Sequence, residues 1–399
     1  MYSFEDLLNP FNTEEFFALF HDKKHLHVPD DKTNRFSELF NWGDLNNILS
    51  ITQLWTASSL KLVLDKVLIK EEEYCNASED LFNQGFLRPD PILVKKWLQK
   101  GATLVINDVD TLHPNIENIA KILENRLSAK VQCNIYFSIK GHQGFDVHFD
   151  VHEVFALHLI GEKEWNLYSE RLDNPINNEY YQSLDENFCK QNSGEILSKV
   201  RMKPGDLLYI PRGQFHEAKA SSSASVHLTF SVTHLIGHDF MSLIFEKALT
   251  KPDFRSNFPL DSLGKNKQIE WIDKLANQVS SIARSDELKN LLFQYSNNFY
   301  TKRDKYNFPT DLKSDKNQSE YRLASNNFKL KSKNNSTFLQ INNKALKIPE
   351  IYKDAVSMII NMKIVNFNEV NSLKTKLTEP EVKNLIQDLV KMKVLLKTK

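Results

Sequence analysis

The sequence contains nothing approaching the ~20 consecutive apolar residues that a bilayer-spanning helix needs, so no membrane span is expected. The opening MYSFEDLLNPFNTEEF has neither the basic start nor the apolar core of a signal peptide. Cysteine is scarce: Cys75, Cys133 and Cys189 are the only three. They are odd in number and far apart, which argues against a disulfide framework and for a reducing, cytoplasmic setting. No internal repeat is visible. Net charge is absent too, since 51 Lys and Arg balance 51 Asp and Glu. That balance hides a division. Residues 301–399 hold 20 basic and 10 acidic side chains, leaving 31 and 41 for the first 300. An acidic body carries a basic tail.

With 399 residues the chain exceeds what one core usually serves, so two or three domains are expected. TEEFFALF (13–20) reads as a helix capped by Thr13, and residues 36–49 as one or two short helices. Residues 92–108 read as a helix, a stop at Gly101 and a strand. Ile116, Ile119, Ile122 and Leu123 recur at helical spacing. From residue 131 the period becomes two, with Val131, Cys133, Ile135 and Phe137 alternating against Gln132, Asn134, Tyr136 and Ser138. VFALHLIG and KEWNLY follow as a hairpin candidate around Gly161, then ILSKVRM, the turn KPGD, LLYIP and SVHLTFSVTHL. Many short strands separated by turns point to a barrel or double-sheet jelly roll. Helical patterns return at MSLIFEKAL and IEWIDKLANQVSSIARS. A polar linker is expected at 302–320. The tail offers a hairpin around KNNS (333–336), a helix over 350–362, a short helix at FNEVNSL, the helix EPEVKNLIQDLVKMK capped by Thr378, and a closing strand.

The chemistry concentrates in GFDVHFDVHEVFALHLIGEKEWNLY (144–168). Residues two apart on a strand share a face, so His148 and Asp150 can address one metal ion. Asp146 and His148 have the same spacing, and by itself an H-x-D reads first as the polar entry of a strand. GDLLYIPRGQFHEA (205–218) then turns through Gly213 and presents His216. It is either a hydrogen-bonded loop histidine or the third member of a two-histidine, one-carboxylate set, the facial triad of non-haem iron oxygenases. In KEWNLY, a strand that buries Trp165 and Leu167 also turns Lys163 inward. A buried ammonium needs an anion or neutralises; the alternative is a lysine snorkelling at a barrel rim.

Taken together, GATLVIND, H-F-D, L-H-L-I-G-E-K-E-W and GDLLYIPRGQFHEA resemble the JmjC cupin-type ribosomal oxygenases, over nearly the whole chain. The opening FFALFHDKKHLHV is similar to that family's N-terminal segment. The resemblance implies an α+β protein. A double-stranded β-helix (cupin or jelly-roll) catalytic domain would span 1–235, a helical dimerisation region with linker 236–305, and a winged-helix-like domain 306–399. It implies His148, Asp150 and His216 as ligands of Fe(II), and Lys163 as partner of the distal carboxylate of 2-oxoglutarate. Asn134 and Ser231 match polar positions lining the cofactor pocket; their strand faces are equally compatible with solvent. His158 stands where the family usually has glutamine and is either a cofactor contact or a core histidine. His152 is expected at the rim, since a closed coordination sphere leaves no place for oxygen. Glu153 is read as structural, and His142 and His234 as strand-end or loop residues.

The implied activity is oxidative decarboxylation of 2-oxoglutarate coupled to hydroxylation of a protein or peptide side chain. Candidate substrates are a ribosomal protein or the precursor peptide of a natural product. Two readings outside that chemistry are a non-catalytic cupin that binds through its basic tail, and a cupin with another divalent metal and no 2-oxo acid. Lysine demethylation shares the fold family, but no reader domain for histone marks is evident. A homodimer through the helical region is expected. The helix EPEVKNLIQDLVKMK carries both charge signs and no arginine. Base reading most often uses arginine, so no sequence-specific nucleic-acid binding is expected.

Overall fold

The computed structural model describes residues 2–30, 34–79, 85–139, 143–220, 224–303, 320–324, 328–333, 336–341, 344–362, 365–372 and 377–398. The chain divides into two compact units, Met1–Arg303 and Asp304–Lys399.

The first unit contains β1 (Leu26–Val28), β2 (Leu60–Leu64), β3 (Val67–Leu68), β4 (Cys75–Glu79), β5 (Gly85–Pro89), β6 (Thr103–Ile106) and β7 (Lys130–Ile139). It continues with β8 (Gln143–His148), β9 (Glu153–Ile160), β10 (Lys163–Arg171), β11 (Ile196–Met202), β12 (Leu207–Ile210), β13 (Gln214–Ala220) and β14 (Ala224–Thr233). Two sheets result, ordered β1-β12-β9-β14-β7-β6-β2-β3 and β11-β10-β13-β8, with β4 and β5 as a separate pair. The pairing between β7 and β14 is unbroken over ten residues, from Ala224 opposite Ile139 to Thr233 opposite Lys130.

The alternation in β7 sorts its side chains as the sequence predicts. Val131, Cys133, Ile135 and Phe137 join Val226, Leu228, Phe230 and Val232 of β14 in the main core. That core is closed by Ile116, Ile119 and Leu123 of the helix Pro114–Leu127 and by Phe4, Leu7, Leu8 and Phe16 of the N-terminal segment. The opposite faces of these strands, carrying Tyr136, His227 and Thr229, are left for the interior between the sheets. A second apolar cluster lies there, with Val154 and Ala156 of β9 packed near Trp165 and Leu167 of β10 and Leu208 and Ile210 of β12.

Three readings change. VFALHLIG and KEWNLY do not form a hairpin: β9 pairs with β12 and β14, whereas β10 pairs with β11 and β13. The positive φ of 69° at Gly161 turns the chain from one sheet to the other. β9 is buried along almost all its length because both its faces are covered, while β10 alternates buried and exposed. His216 lies in strand β13 rather than in a loop. The first helix pattern is capped by Asn12, whose side chain accepts from the Glu15 amide, with Thr13 as the first helical residue.

Beyond β14, the helices Gly237–Leu249, Lys265–Arg284 and Asp286–Asn297 pack on one another through Ile244, Ala248, Ile282 and Leu288. The first unit ends at a buried ion cluster, where Arg303 donates from Nε to Asp110 at 2.5 Å and from Nη1 to Glu124 at 2.7 Å. The second unit has strands Glu320–Leu323, Val365–Asn366 and Leu395–Lys397 in one sheet and Lys329–Lys333, Ser336–Ile341 and Lys344–Ile348 in another. Helices Lys353–Ile359, Phe367–Ser372 and Glu379–Lys391 share its core through Val356, Ile359, Val370, Val382 and Leu385. Thr378 caps the last helix in a capping box with Glu381. The two middle residues of KNNS, most of the expected 302–320 linker, and His142 lie outside the described residues. Among the described residues no helix is long and apolar enough to cross a membrane. The three cysteines are buried and free.

Candidate active site

His148 ends β8 and faces His216 of β13 directly in the antiparallel register. Asp150 lies just past the end of β8, so the shared strand face on which its pairing with His148 was predicted stops at His148. Ligand-capable atoms of His148, Asp150 and His216 nonetheless fall within 4.8 Å of one another. The two imidazole centroids are 4.4 Å apart, and His216 Nε2 is 3.5 Å from Asp150 Oδ2. Each histidine donates from Nδ1 to a backbone carbonyl two residues before it, His148 to Asp146 at 2.7 Å and His216 to Gln214 at 2.9 Å. That bond selects the tautomer whose Nε2 carries a lone pair, the form a metal ion takes.

Burial and neighbouring charges shift Asp150 and His216. Burial pushes the Asp150 carboxyl up, but the neighbouring His152, His216 and His148 together outweigh it and hold the carboxyl below its ordinary value. Burial, reinforced by His148, pushes His216 down to about 4, against the pull of Asp150. The paired carboxylate Asp146 is engaged elsewhere, by Lys66 and Lys190. His152 turns Nδ1 toward the carbonyl of Glu153 at 3.2 Å and does not join the cluster.

These residues open on a cavity of about 200 Å³ between the sheets, lined also by Thr103, Tyr136, Lys163, Trp165, His227 and Thr229. Lys163 is 6% exposed and does point inward, as the burial of Trp165 and Leu167 requires. It is not a rim residue. Its Nζ stands 5.8 Å from the Tyr136 ring centroid and 5.9 Å from that of Trp165. No acidic side chain pairs with it among the described residues, and burial pushes its pKa down to about 7. Around it, His227 Nδ1, Thr229 Oγ1 and Trp165 Nε1 are buried without a hydrogen-bond partner among the described residues. A cavity with one unpaired cation and several unsatisfied polar atoms is built to receive a polar, anionic molecule.

Asn134 and Ser231 lie on the inner faces of β7 and β14, in line with Tyr136 and with His227 and Thr229. They stand beyond the cavity lining. Asn134 Oδ1 accepts from the Asp108 amide at 3.1 Å. On these two strands the cavity wall includes Tyr136, His227 and Thr229, which share the strand parity of Asn134 and Ser231. Thr103 carried no signal in the sequence; it is held by a 2.9 Å hydrogen bond between its hydroxyl and that of Ser138. His158 is fully buried behind His227, with ring centroids 6.2 Å apart and planes 8° from parallel. It donates from Nε2 to the Gly161 carbonyl at 3.0 Å, and burial, aided by Lys163, pushes it down to about 4. It is a core histidine that supports His227.

Two sheets of a double-stranded β-helix with two histidines and a carboxylate inside define the JmjC and cupin class. The comparisons agree. A JmjC domain model matches residues 109–240. The bifunctional lysine-specific demethylase and histidyl-hydroxylase NO66 of Dictyostelium discoideum is 30% identical over 268 residues, 64% of this chain and 48% of that protein. Ribosomal oxygenase 2 of Rattus norvegicus is 31% identical over 238 residues, 57% of this chain and 46% of that protein. The chain thus spans about half the length of the curated relatives it matches. YcfD, a ribosomal oxygenase from Escherichia coli solved with cobalt and 2-oxoglutarate, shares the fold with a TM-score of 0.53 at 14% identity, covering 98% of this chain and 99% of that one. Residues 109–240 thus match the JmjC domain, and the chain is similar to proteins named as ribosomal oxygenases.

Proposed function

We propose that the chain is a 2-oxoglutarate- and Fe(II)-dependent oxygenase that hydroxylates a side chain of a protein or peptide. The observation that carries this reading is the pairing, in one cavity, of the His148, Asp150 and His216 donor set with the unpaired Lys163 ammonium. The donor set fits a divalent ion of the iron type: two neutral imidazoles and one carboxylate on one side leave adjacent coordination positions for other ligands. When bound, iron with 2-oxoglutarate supplies the oxidising chemistry, and the protein supplies placement and exclusion of water.

Each residue then has a task. His148 and His216 would hold the metal through Nε2, oriented by the carbonyls of Asp146 and Gln214. Asp150 would supply the anionic ligand. Lys163 would receive the distal carboxylate of 2-oxoglutarate, which restores its charge balance, with the Thr229 hydroxyl available as a further donor. Tyr136, Trp165 and His227 form the walls that keep the chamber narrow. The relatives named as ribosomal oxygenases and histidyl-hydroxylases support a ribosomal protein as the substrate.

Anaerobic titration with Fe(II) and then 2-oxoglutarate tests the reading. A visible metal-to-ligand charge-transfer band that appears only with both is expected in the full chain and absent from His216→Ala. Absence of the band in the wild-type protein would leave a cupin of another kind.

We further infer that the 236–305 region makes a homodimer and that 306–399 is a winged-helix-like domain. Met241, Phe245, Ile269, Ile272 and Phe293 are exposed on the helices of the first region, more apolar surface than a solvated helical layer needs. Three short helices and a three-stranded sheet support the second assignment. Light scattering at tens of micromolar decides the first point, a monomer being the contrary result.

A further inference from the structure

A second group of metal-ligating side chains lies outside the cavity just described. His21 follows the helical turn Phe16–Phe20, Glu153 begins β9, and His234 directly follows β14. Three separate segments thus deliver two imidazoles and a carboxylate to one point, with ligand atoms within 4.8 Å of one another. His21 Nε2 is 3.5 Å and His234 Nε2 3.4 Å from Glu153 Oε1. These separations are long for hydrogen bonds. They match the edge of a tetrahedron about a zinc-sized ion, roughly 3.3 Å when metal–nitrogen distances are near 2.0–2.1 Å.

The polar accounting points the same way. Glu153 is 2% exposed, and among the described residues it pairs with no lysine or arginine. Its Oε2 and the Nε2 atoms of both histidines are buried with no hydrogen-bond partner among the described residues. Buried polar atoms are rarely left so, and here three converge. The hydroxyl of Tyr209 lies against Glu153, the kind of outer contact that fixes a ligating carboxylate. The group borders a separate cavity of about 670 Å³, from which a fourth ligand can enter.

We propose that His21, Glu153 and His234 form a second divalent-metal site of zinc type, distinct from the His148, Asp150 and His216 cluster, with water in the fourth position. Two imidazoles, one carboxylate and an open place suit zinc among the borderline ions. The ion joins the N-terminal segment to the start of β9 and the end of β14, and so fastens the segment that covers the main core.

Zinc analysis of the full chain after equilibrium dialysis tests this. A His148→Ala/His216→Ala background disables the first cluster. It should keep about one zinc per chain, and lose it when His21→Phe and His234→Phe are added. Phenylalanine preserves the aromatic packing at both positions. In the same background zinc should raise the thermal midpoint, and in the four-substitution protein it should not. If that background fails to fold, the His21→Phe/His234→Phe pair alone should bind about one zinc fewer than the wild type. A background that binds no zinc, a four-substitution protein that still binds it, or equal thermal shifts in both would overturn the site.

Discussion

The Gly213 amide donates to the Asp150 carbonyl oxygen at 2.8 Å. This bond ties the loop that carries the carboxylate to the turn that feeds β13 and His216. The turn needs glycine: φ is +81°, and a Cβ here would come within 2.1 Å of the Leu172 carbonyl oxygen. Gly213→Ala should therefore displace both loops. A left-handed backbone alone costs a non-glycine residue roughly 1–2 kcal/mol, and the contact adds to it. Urea unfolding should show at least that loss, accompanied by weaker metal binding. Unchanged metal affinity would show that the two loops are positioned independently.

His148→Ala and Asp150→Ala should abolish succinate formation while leaving thermal unfolding cooperative. Asp146→Ala is the contrast. Its carboxylate pairs with Lys66 and Lys190, and only its backbone carbonyl serves His148, so turnover should survive with a modest loss of stability. Full activity in either of the first two variants removes that residue from the ligand set.

Lys163→Met should act in opposite directions on binding and on stability. Loss of the charge-assisted contact should raise the 2-oxoglutarate requirement about tenfold to a hundredfold, from roughly 1.5–3 kcal/mol. Without cosubstrate the same change should stabilise the protein, because a buried, unpaired ammonium is removed. Linkage gives a pH signature. The group ionises near 10.5 when unfolded and near 7 when folded, so the unfolded state binds more protons between those values. Wild-type stability should rise from pH 7 towards 10.5, and the contribution should be lost as pH falls to 7. A flat profile for Lys163→Met, set against that rise, is the diagnostic result.

His158 gives the acid side of the same behaviour. It is held neutral down to about 4, first by burial and then by Lys163, against an ordinary value of 6.5. Its contribution is complete above pH 6.5 and is lost as pH falls towards 4. His158→Gln should flatten part of the stability loss across that window, measured by denaturant midpoints at each pH. The 2-oxoglutarate requirement should change far less than in Lys163→Met, since His158 stands behind His227 and outside the cavity lining.

Arg303→Met should destabilise the first unit by about 3–5 kcal/mol, the usual consequence of removing one member of a buried charge cluster. Arg303 is the only cation in contact with Asp110 and Glu124 among the described residues, and both carboxylates are buried. Glu124 also accepts from the amides of Val131 and Thr301. A loss below 1 kcal/mol would mean that water reaches the cluster.

Local sequence determined whatever depends on a side chain's position along its own strand. Alternation in 131–138 fixed which side of β7 meets the helices. The parity of Lys163, Trp165 and Leu167 turned the lysine inward. These follow from the two-residue period of extended backbone, which any short stretch displays. Only the tertiary structure decided which strands pair. It opened the expected Gly161 hairpin into a crossing between sheets and set His216 opposite His148. It also let Tyr136, His227 and Thr229, rather than Asn134 and Ser231, line the cavity. Pairing and register are set by the burial of whole faces against distant segments, and no local period records that. His21, Glu153 and His234 show this most plainly: three segments with no shared pattern meet at one point because the two sheets and the N-terminal segment close around it.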